Sequence, residues 1–288
     1  MNLLKGANHL KNLIFDQFFH ASGRGGLTIS SVSLDSKALG RKVRVDLFYP
    51  QHLSAANNVH HYPVLLLNDG QDMQAIALAE TLSALWHEKR LPELFIAAIH
   101  AGDRIQEYGT ANQLDYKGRG SKAGLYTQFV LETLRPWLLK HYPLSQDKEK
   151  WFIAGFSLGG LSALDIAWNQ PDYFSKVGVF SGSLWWRSQA FTESNPDGHR
   201  IAHEMIGKGP IRPDMKFWFQ AGTLDETDDR NNNGVIDAID DTLHLMDALA
   251  ALGYHRDRDM VYVQVEGGRH DTHTWGQVMP DFLQWLFA

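Results

Sequence analysis

Cysteine is missing from all 288 residues. That excludes a thiol nucleophile, a zinc–thiolate site and disulfide redox chemistry. No apolar stretch approaches 18 residues, so no membrane-spanning helix is expected. No block of five or six like charges is present, and 27 basic against 33 acidic residues leave a net charge of only −6. A nucleic-acid or anionic-membrane surface is therefore not expected. A secretory leader pattern is lacking too: Lys5, Asn8, His9, Lys11 and Asn12 break up Leu3-Leu4 and Leu13-Ile14. The cytoplasm is the expected compartment. Repeats and low-complexity tracts are also absent. What remains is an ordinary globular balance, 44% hydrophobic and 21% charged, which rules out disorder, a collagen-like chain and a disulfide scaffold. A chain this long buries roughly three-quarters of the surface its unfolded form exposes.

Apolar and polar residues alternate over 27–33 and 43–49, where Val43, Val45 and Leu47 stand against Arg44 and Asp46. This predicts an antiparallel strand pair connected through Gly40. Pro63-Val64-Leu65-Leu66-Leu67 is a continuous apolar run, the pattern of a strand buried on both faces. Helical spacing over 74–88 follows, then a buried strand at 94–99. Beyond lie a helix over 123–140, strand 151–155, helix 159–169, strand 177–181, strand 216–220, helix 238–252 and strand 260–265. A final helix carries Phe282, Trp285 and Leu286. Strands alternating with helices predict a mostly parallel sheet of about six strands behind two antiparallel front strands. Residues 182–215 read as a long connection, so 1–288 is expected to form a single domain, with 1–26 as an N-terminal extension.

Between strand 151–155 and helix 159–169 stands Gly155-Phe156-Ser157-Leu158-Gly159. A catalytic serine needs a tight strand-to-helix turn that lifts its hydroxyl clear of the sheet, with small flanking residues to let the backbone pass. The helix that follows points its N-terminal dipole at a developing oxyanion. Ser157 is the candidate nucleophile. On such a scaffold the partners follow in the order Ser, acid, His. Strand 216–220 leads into Gly222-Thr223-Leu224-Asp225-Glu226, and strand 260–265 into Gly267-Gly268-Arg269-His270. Both loops leave the carboxyl ends of their strands, on the rim that carries Ser157. Asp225 would hold the imidazole tautomer of His270, and His270 would take the serine proton. Glu226 and His273 are the alternatives. One oxyanion donor is expected from the Leu158 amide, the other from the loop Asn68-Asp69-Gly70-Gln71-Asp72, where the Gln71 amide is preferred over Gly70 and Asp72.

Over residues 43–287 these segments resemble the putative-esterase family of α/β-hydrolases, which includes esterase D, enterochelin-esterase-like and feruloyl-esterase-like members. The carriers are Leu65-Leu66-Leu67-Asn68-Asp69-Gly70, Ala154-Gly155-Phe156-Ser157-Leu158-Gly159-Gly160, Gly222-Thr223-Leu224-Asp225, and Gly267-Gly268-Arg269-His270 with Trp275. The resemblance implies an α/β-hydrolase fold, hydrolysis of a small-molecule ester through an acyl-serine, and no organic cofactor. The nearby tryptophan favours His270 over His273. Two departures stand out: Arg269 sits between the glycines and His270, and the acid segment runs into an asparagine-rich loop.

That loop, residues 229–240, follows an EF-hand register. Asp229, Asn231 and Asn233 fill positions 1, 3 and 5, Gly234 the sharp turn, Val235 the carbonyl position, Asp237 position 9 and Asp240 position 12. Alternate side chains of a tight loop converge on one hard cation, so a structural Ca2+ beside the acid loop is expected. The segment 101–122 is long and aperiodic and borders the rim; its Arg104, Lys117, Arg119 and Lys122 could favour an anionic substrate, although a solvated loop is the plainer reading. Trp185 and Trp186 are candidates to wall a substrate pocket. The same triad would serve an acyltransferase or thioesterase, and the fold without chemistry could serve as a binding module.

Overall fold

The computed structural model describes residues 18–22, 26–54 and 61–288. Its strands are β1 (Phe18–Ser22), β2 (Leu27–Ser36), β3 (Arg41–Pro50), β4 (Val64–Asn68), β5 (Phe95–Ile99), β6 (Trp151–Phe156), β7 (Lys176–Phe180), β8 (Lys216–Leu224) and β9 (Met260–Arg269). Among the described residues they form one sheet in the order β1-β2-β3-β5-β4-β6-β7-β8-β9. Every pair from β5 to β9 is parallel, and the three front strands join antiparallel. The six parallel strands and the β2–β3 pair are as expected from the sequence. The extension is more than an appendage: β1 pairs with β2 and takes the sheet edge, Ala21 opposite Ile29. Residues 1–17 and 23–25 of that extension lie outside the described residues.

The buried strands alternate between two cores, as the pleat requires. Val64 and Leu66 face one, Leu65 and Leu67 the other, and β5 and β6 repeat the split. One core is covered by α1 (Leu78–His87) and, at the C-terminus, the last helix, through Leu78, Leu82, Leu85, Met279, Phe282 and Leu283. The helix expected over 74–88 starts late because Ala77 takes a left-handed turn at φ 53°. The short helices α2 (Arg104–Glu107) and α3 (Ala123–Gln128) follow, and the predicted 123–140 helix is present as one continuous helical run whose middle turns change hydrogen-bond register. A π-helical stretch, Phe129–Leu134, separates α3 from α4 (Arg135–His141). Pro136 accounts for the change of register, since its ring has no amide for the preceding turn and crowds the carbonyl four residues back.

On the same face lie α5 (Leu158–Asn169), α6 (Ile201–Lys208) and α7 (Asp237–Ala251), which cover the second core through Leu161, Leu164, Ile206, Leu245 and Leu249. A one-turn helix α8 (Arg256–Asp259) precedes β9, and α9 (Thr272–Trp285) is the last helix. The result is the expected α/β-hydrolase architecture, a mixed sheet with helices on both faces. No helix among the described residues is long and apolar enough to cross a membrane.

Candidate active site

β6 ends in the turn that carries Ser157. The residue sits at φ 54°, ψ −120°, a conformation that L side chains rarely adopt, and it directly precedes α5. Such strain persists only where the surroundings over-determine it. Here the Ser157 amide donates to Phe180 O at 2.8 Å, and its carbonyl accepts from Gly160, Leu161 and Ser183. The flanking glycines are sterically required. A Cβ at Gly155 would collide with the Gly159 carbonyl, and one at Gly159 with the Asp69 carboxylate. The Ser157 hydroxyl lies 3.3 Å from that of Ser183, a neighbour that no sequence pattern marked.

Both partner loops rise from the same rim. β8 and β9 run on past their predicted ends, and a bulge between the Gly222–Val265 and Leu224–Arg269 pairs brings Asp225 and His270 out side by side. Gly267, at φ 70°, makes the turn and donates to Thr223 Oγ1 at 2.8 Å. Both carboxylate oxygens of Asp225 are buried without a hydrogen-bond partner. Burial pushes this carboxyl up, against the nearby Gly222 amide and Ser181 hydroxyl and then the His270 charge, which pull it down. His270 is exposed at the rim, yet the protein packed around its imidazole pushes it down, Asp225 pulls it up against that, and the Arg104 cation pushes it further down. The two groups feel each other's charge without a closed hydrogen bond, a common state of free catalytic sites. The ring of His270 meets the edge of Trp275 at 5.4 Å. Trp275 stacks on Phe156 at 5.0 Å and donates to Ser181 Oγ at 3.0 Å. His273 stands elsewhere, exposed on α9 against Gln277.

The Asn68–Asp72 segment packs on the start of α5, with Asn68 Nδ2 donating to Gly159 O at 2.7 Å. Asp69 is left-handed at φ 61°, and the Asp72 amide is spent on Asp69 O, which removes Asp72 from the oxyanion candidates. Three basic residues of the 101–122 segment are engaged within the protein, which differs both from the solvated loop expected there and from the anion-binding alternative. Arg104 makes a two-bond pair with Asp69, Arg119 pairs with Asp115, and Lys117 lies over the Tyr116 ring. The two tryptophans also part company. Trp185 is 38% exposed, whereas Trp186 is wholly buried against Gly109 and Gly120 and cannot wall a pocket. Trp185 lines a cavity of about 530 Å³ with Tyr116, Phe191, Glu226, Asp228 and Arg230. Glu226 in that cavity is pushed up to about 7, chiefly by burial and then by Asp237.

In the 229–240 loop, Asn231 and Asn233 both reach the Asp240 carboxylate, at 2.8 and 3.2 Å. Asp229 accepts from the Asn233 and Gly234 amides, and Gly234 makes the sharp turn at φ 85°. Asn231 and Asn233 thus converge on Asp240, while Asp229 folds back on the backbone amides of its own loop. Asp237 does not join them. Its carboxylate takes the Arg230 amide at 3.0 Å and the Arg230 guanidinium at 3.1 Å. Asp197 approaches from outside the loop, within 3.3 Å of Asn231 Nδ2, and its carboxylate lies near those of Asp240 and the imidazole of His244.

The profile of the Putative esterase family matches residues 36–286. The Iron(III) enterobactin esterase of Dickeya dadantii is 25% identical over 234 residues, which are 78% of this chain and 48% of that protein. An uncharacterized protein of Bacillus subtilis is 25% identical over 164 residues, 56% of this chain and 64% of its own. The chain thus spans about half to two-thirds of these relatives. Among solved structures, the enterobactin esterase of Shigella flexneri, in the presence of enterobactin, superposes with TM-score 0.70 at 22% identity, over 90% of this chain and 58% of that one. A ferulic acid esterase superposes with TM-score 0.69 at 18% identity, over 92% and 98%. These structures share the fold.

Proposed function

The chain belongs to the Putative esterase family, and we propose that it hydrolyses a small-molecule carboxylic ester through an acyl-serine on Ser157. The observation that carries this reading is the strained Ser157 turn at the head of α5, on the rim where Asp225 and His270 emerge together. Imidazole Nε2 of His270 takes the hydroxyl proton as Ser157 Oγ attacks the ester carbonyl. Asp225, with two buried and unpartnered oxygens, accepts from Nδ1 and stabilises the imidazolium. The amides of Leu158 and Gln71 hold the oxyanion. Collapse returns the proton to the leaving alcohol. Water, deprotonated by His270, then releases the acid and restores Ser157. Trp185 walls a cavity that Glu226, the residue after Asp225, also lines, and one side of the ester would lie there. The named enterobactin esterases among the relatives support an ester substrate of small-molecule size.

The test is labelling with a fluorophosphonate probe, which needs no knowledge of the natural substrate. Wild type should label and Ser157→Ala should not. A folded wild type that refuses the probe would point to a binding module. Labelling with acyl transfer to an alcohol or thiol in preference to water would point to an acyltransferase.

The 229–240 loop fits a structural Ca2+. Side chains of Asp229, Asn231, Asn233 and Asp240, with the Val235 carbonyl, supply the hard oxygen ligands such an ion takes. Asp237, engaged by Arg230, falls outside that set. The ion would tie the loop after Asp225 to α7 and take no part in the chemistry.

A further inference from the structure

We propose that Arg104 is a positioning residue: its guanidinium clamps the Asn68–Asp72 turn to the Ser157 turn, so that the two oxyanion amides face one point. This rests on the esterase reading and adds to it. Arg104 opens the one-turn helix α2, within the long aperiodic segment 101–122. Its Nε donates to Asp69 Oδ1 at 2.7 Å, and its Nη2 to Asp69 Oδ2 at 2.9 Å. The same Nη2 donates to the Phe156 carbonyl at 3.1 Å. One planar group thereby joins the oxyanion loop to the peptide just before the nucleophile.

The surroundings make this joint specific. The Asp69 carboxylate is fully buried, so without a cation it would carry a large desolvation penalty. Its backbone is left-handed, and its amide donates to Tyr108 Oη at 2.9 Å, from the same 101–122 segment. Gln71 donates back to Asp69 Oδ1 at 2.9 Å, so the candidate oxyanion residue leans on the carboxylate that Arg104 holds. Gly159 on α5 makes room for this carboxylate, since a Cβ there would come within 2.3 Å of Asp69 Oδ2. A fork of parallel donors suits this geometry. A lysine could reach Asp69 or Phe156 O, but as a point charge it could not hold both edges of the carboxylate and the carbonyl. The cation also acts on His270: with burial, it holds the imidazole down, while Asp225 and Asp271 pull up.

The experiment uses the full chain with Arg104→Gln and Arg104→Lys, and p-nitrophenyl acetate as a neutral ester. Thermal melts establish which variants are folded. The expected result is a roughly 10- to 100-fold loss of kcat, below the roughly 10²- to 10³-fold of a deleted oxyanion donor because the amide is displaced and not removed, with KM changed less than about threefold. Lysine should not restore kcat. In Arg104→Gln the acid limb of kcat/KM should also move to higher pH, which a purely structural role would not produce. Should the glutamine variant not fold, Arg104→Lys, which keeps the charge against Asp69, carries the comparison of kcat with KM. A folded variant with wild-type kcat overturns the proposal. So does a loss confined to KM for anionic esters, the signature of direct substrate binding. Failure of the esterase reading would show instead in wild type, as neither labelling nor turnover.

Discussion

Asp225 and His270 each stand one residue beyond a paired position of the sheet, since Leu224 on β8 lies opposite Arg269 on β9. Their proximity is a matter of strand register. The strands are parallel, so both chains leave at the same rim, and the bulge around Gly267 uses up the extra residues of β9 just before the pair. Gly222 contributes by absence: a Cβ there would come within 2.8 Å of Asp225 Oδ1.

Asp225→Asn should keep the fold and lower kcat/KM by on the order of 10⁴, because an amide facing Nδ1 selects the wrong imidazole tautomer. The second-order rate of fluorophosphonate labelling measures this without a substrate. A wild-type rate would remove Asp225 from the mechanism and turn attention to Glu226.

The acid limb of kcat/KM should have its midpoint below 6.5, the ordinary histidine value. His270 must be neutral to accept the serine proton, and burial and Arg104 both disfavour its cation. Activity is therefore retained to lower pH than an unperturbed imidazole would allow, and is lost as pH falls through the shifted value. A midpoint above 7 in the pH–rate profile would contradict this assignment.

Asp165, on α5, is buried and pushed up to about 7 by that burial, although Ala111 N and Asn169 Nδ2 donate to it. A folded-state pKa above the unfolded 3.8 means that the folded state holds the proton longer. Stability from this group is full below about pH 4 and is lost as pH rises to about 7. The penalty at pH 8 is on the order of 4 kcal/mol at most. Asp165→Asn, which never ionises, should gain thermal stability over wild type at pH 8 and show no gain at pH 4.5. Parallel melting curves across that range would refute the effect.

Calcium chelation should lower the melting temperature, and added Ca2+ should restore it. Asp240→Ala should abolish the response with kcat little changed, because this residue sits beyond Asp225 and outside the cavity that Trp185 lines. A melting temperature indifferent to chelator and to Ca2+ would leave the loop as a hydrogen-bonded turn.

The sequence by itself determined the parallel sheet, the Ser157 turn and the chain order of Ser157, Asp225 and His270. These are local demands. Continuous apolar runs such as Val64–Leu67 are stable only when buried on both faces, and Gly155 and Gly159 are forced by contacts the turn makes with itself and with Asp69. Only the tertiary structure decided the rest. Trp185 and Trp186 are the same residue side by side, and packing against Gly109 and Gly120 alone separates the buried one from the exposed one. Asp237 fits a ligand spacing, yet Arg230 holds it aside. Arg104 reads as a loop cation until folding brings it to Asp69, 35 residues away, and to Phe156 O, 52 residues away. A charge takes its role from the partner that desolvates it, and that partner is chosen by how the elements pack.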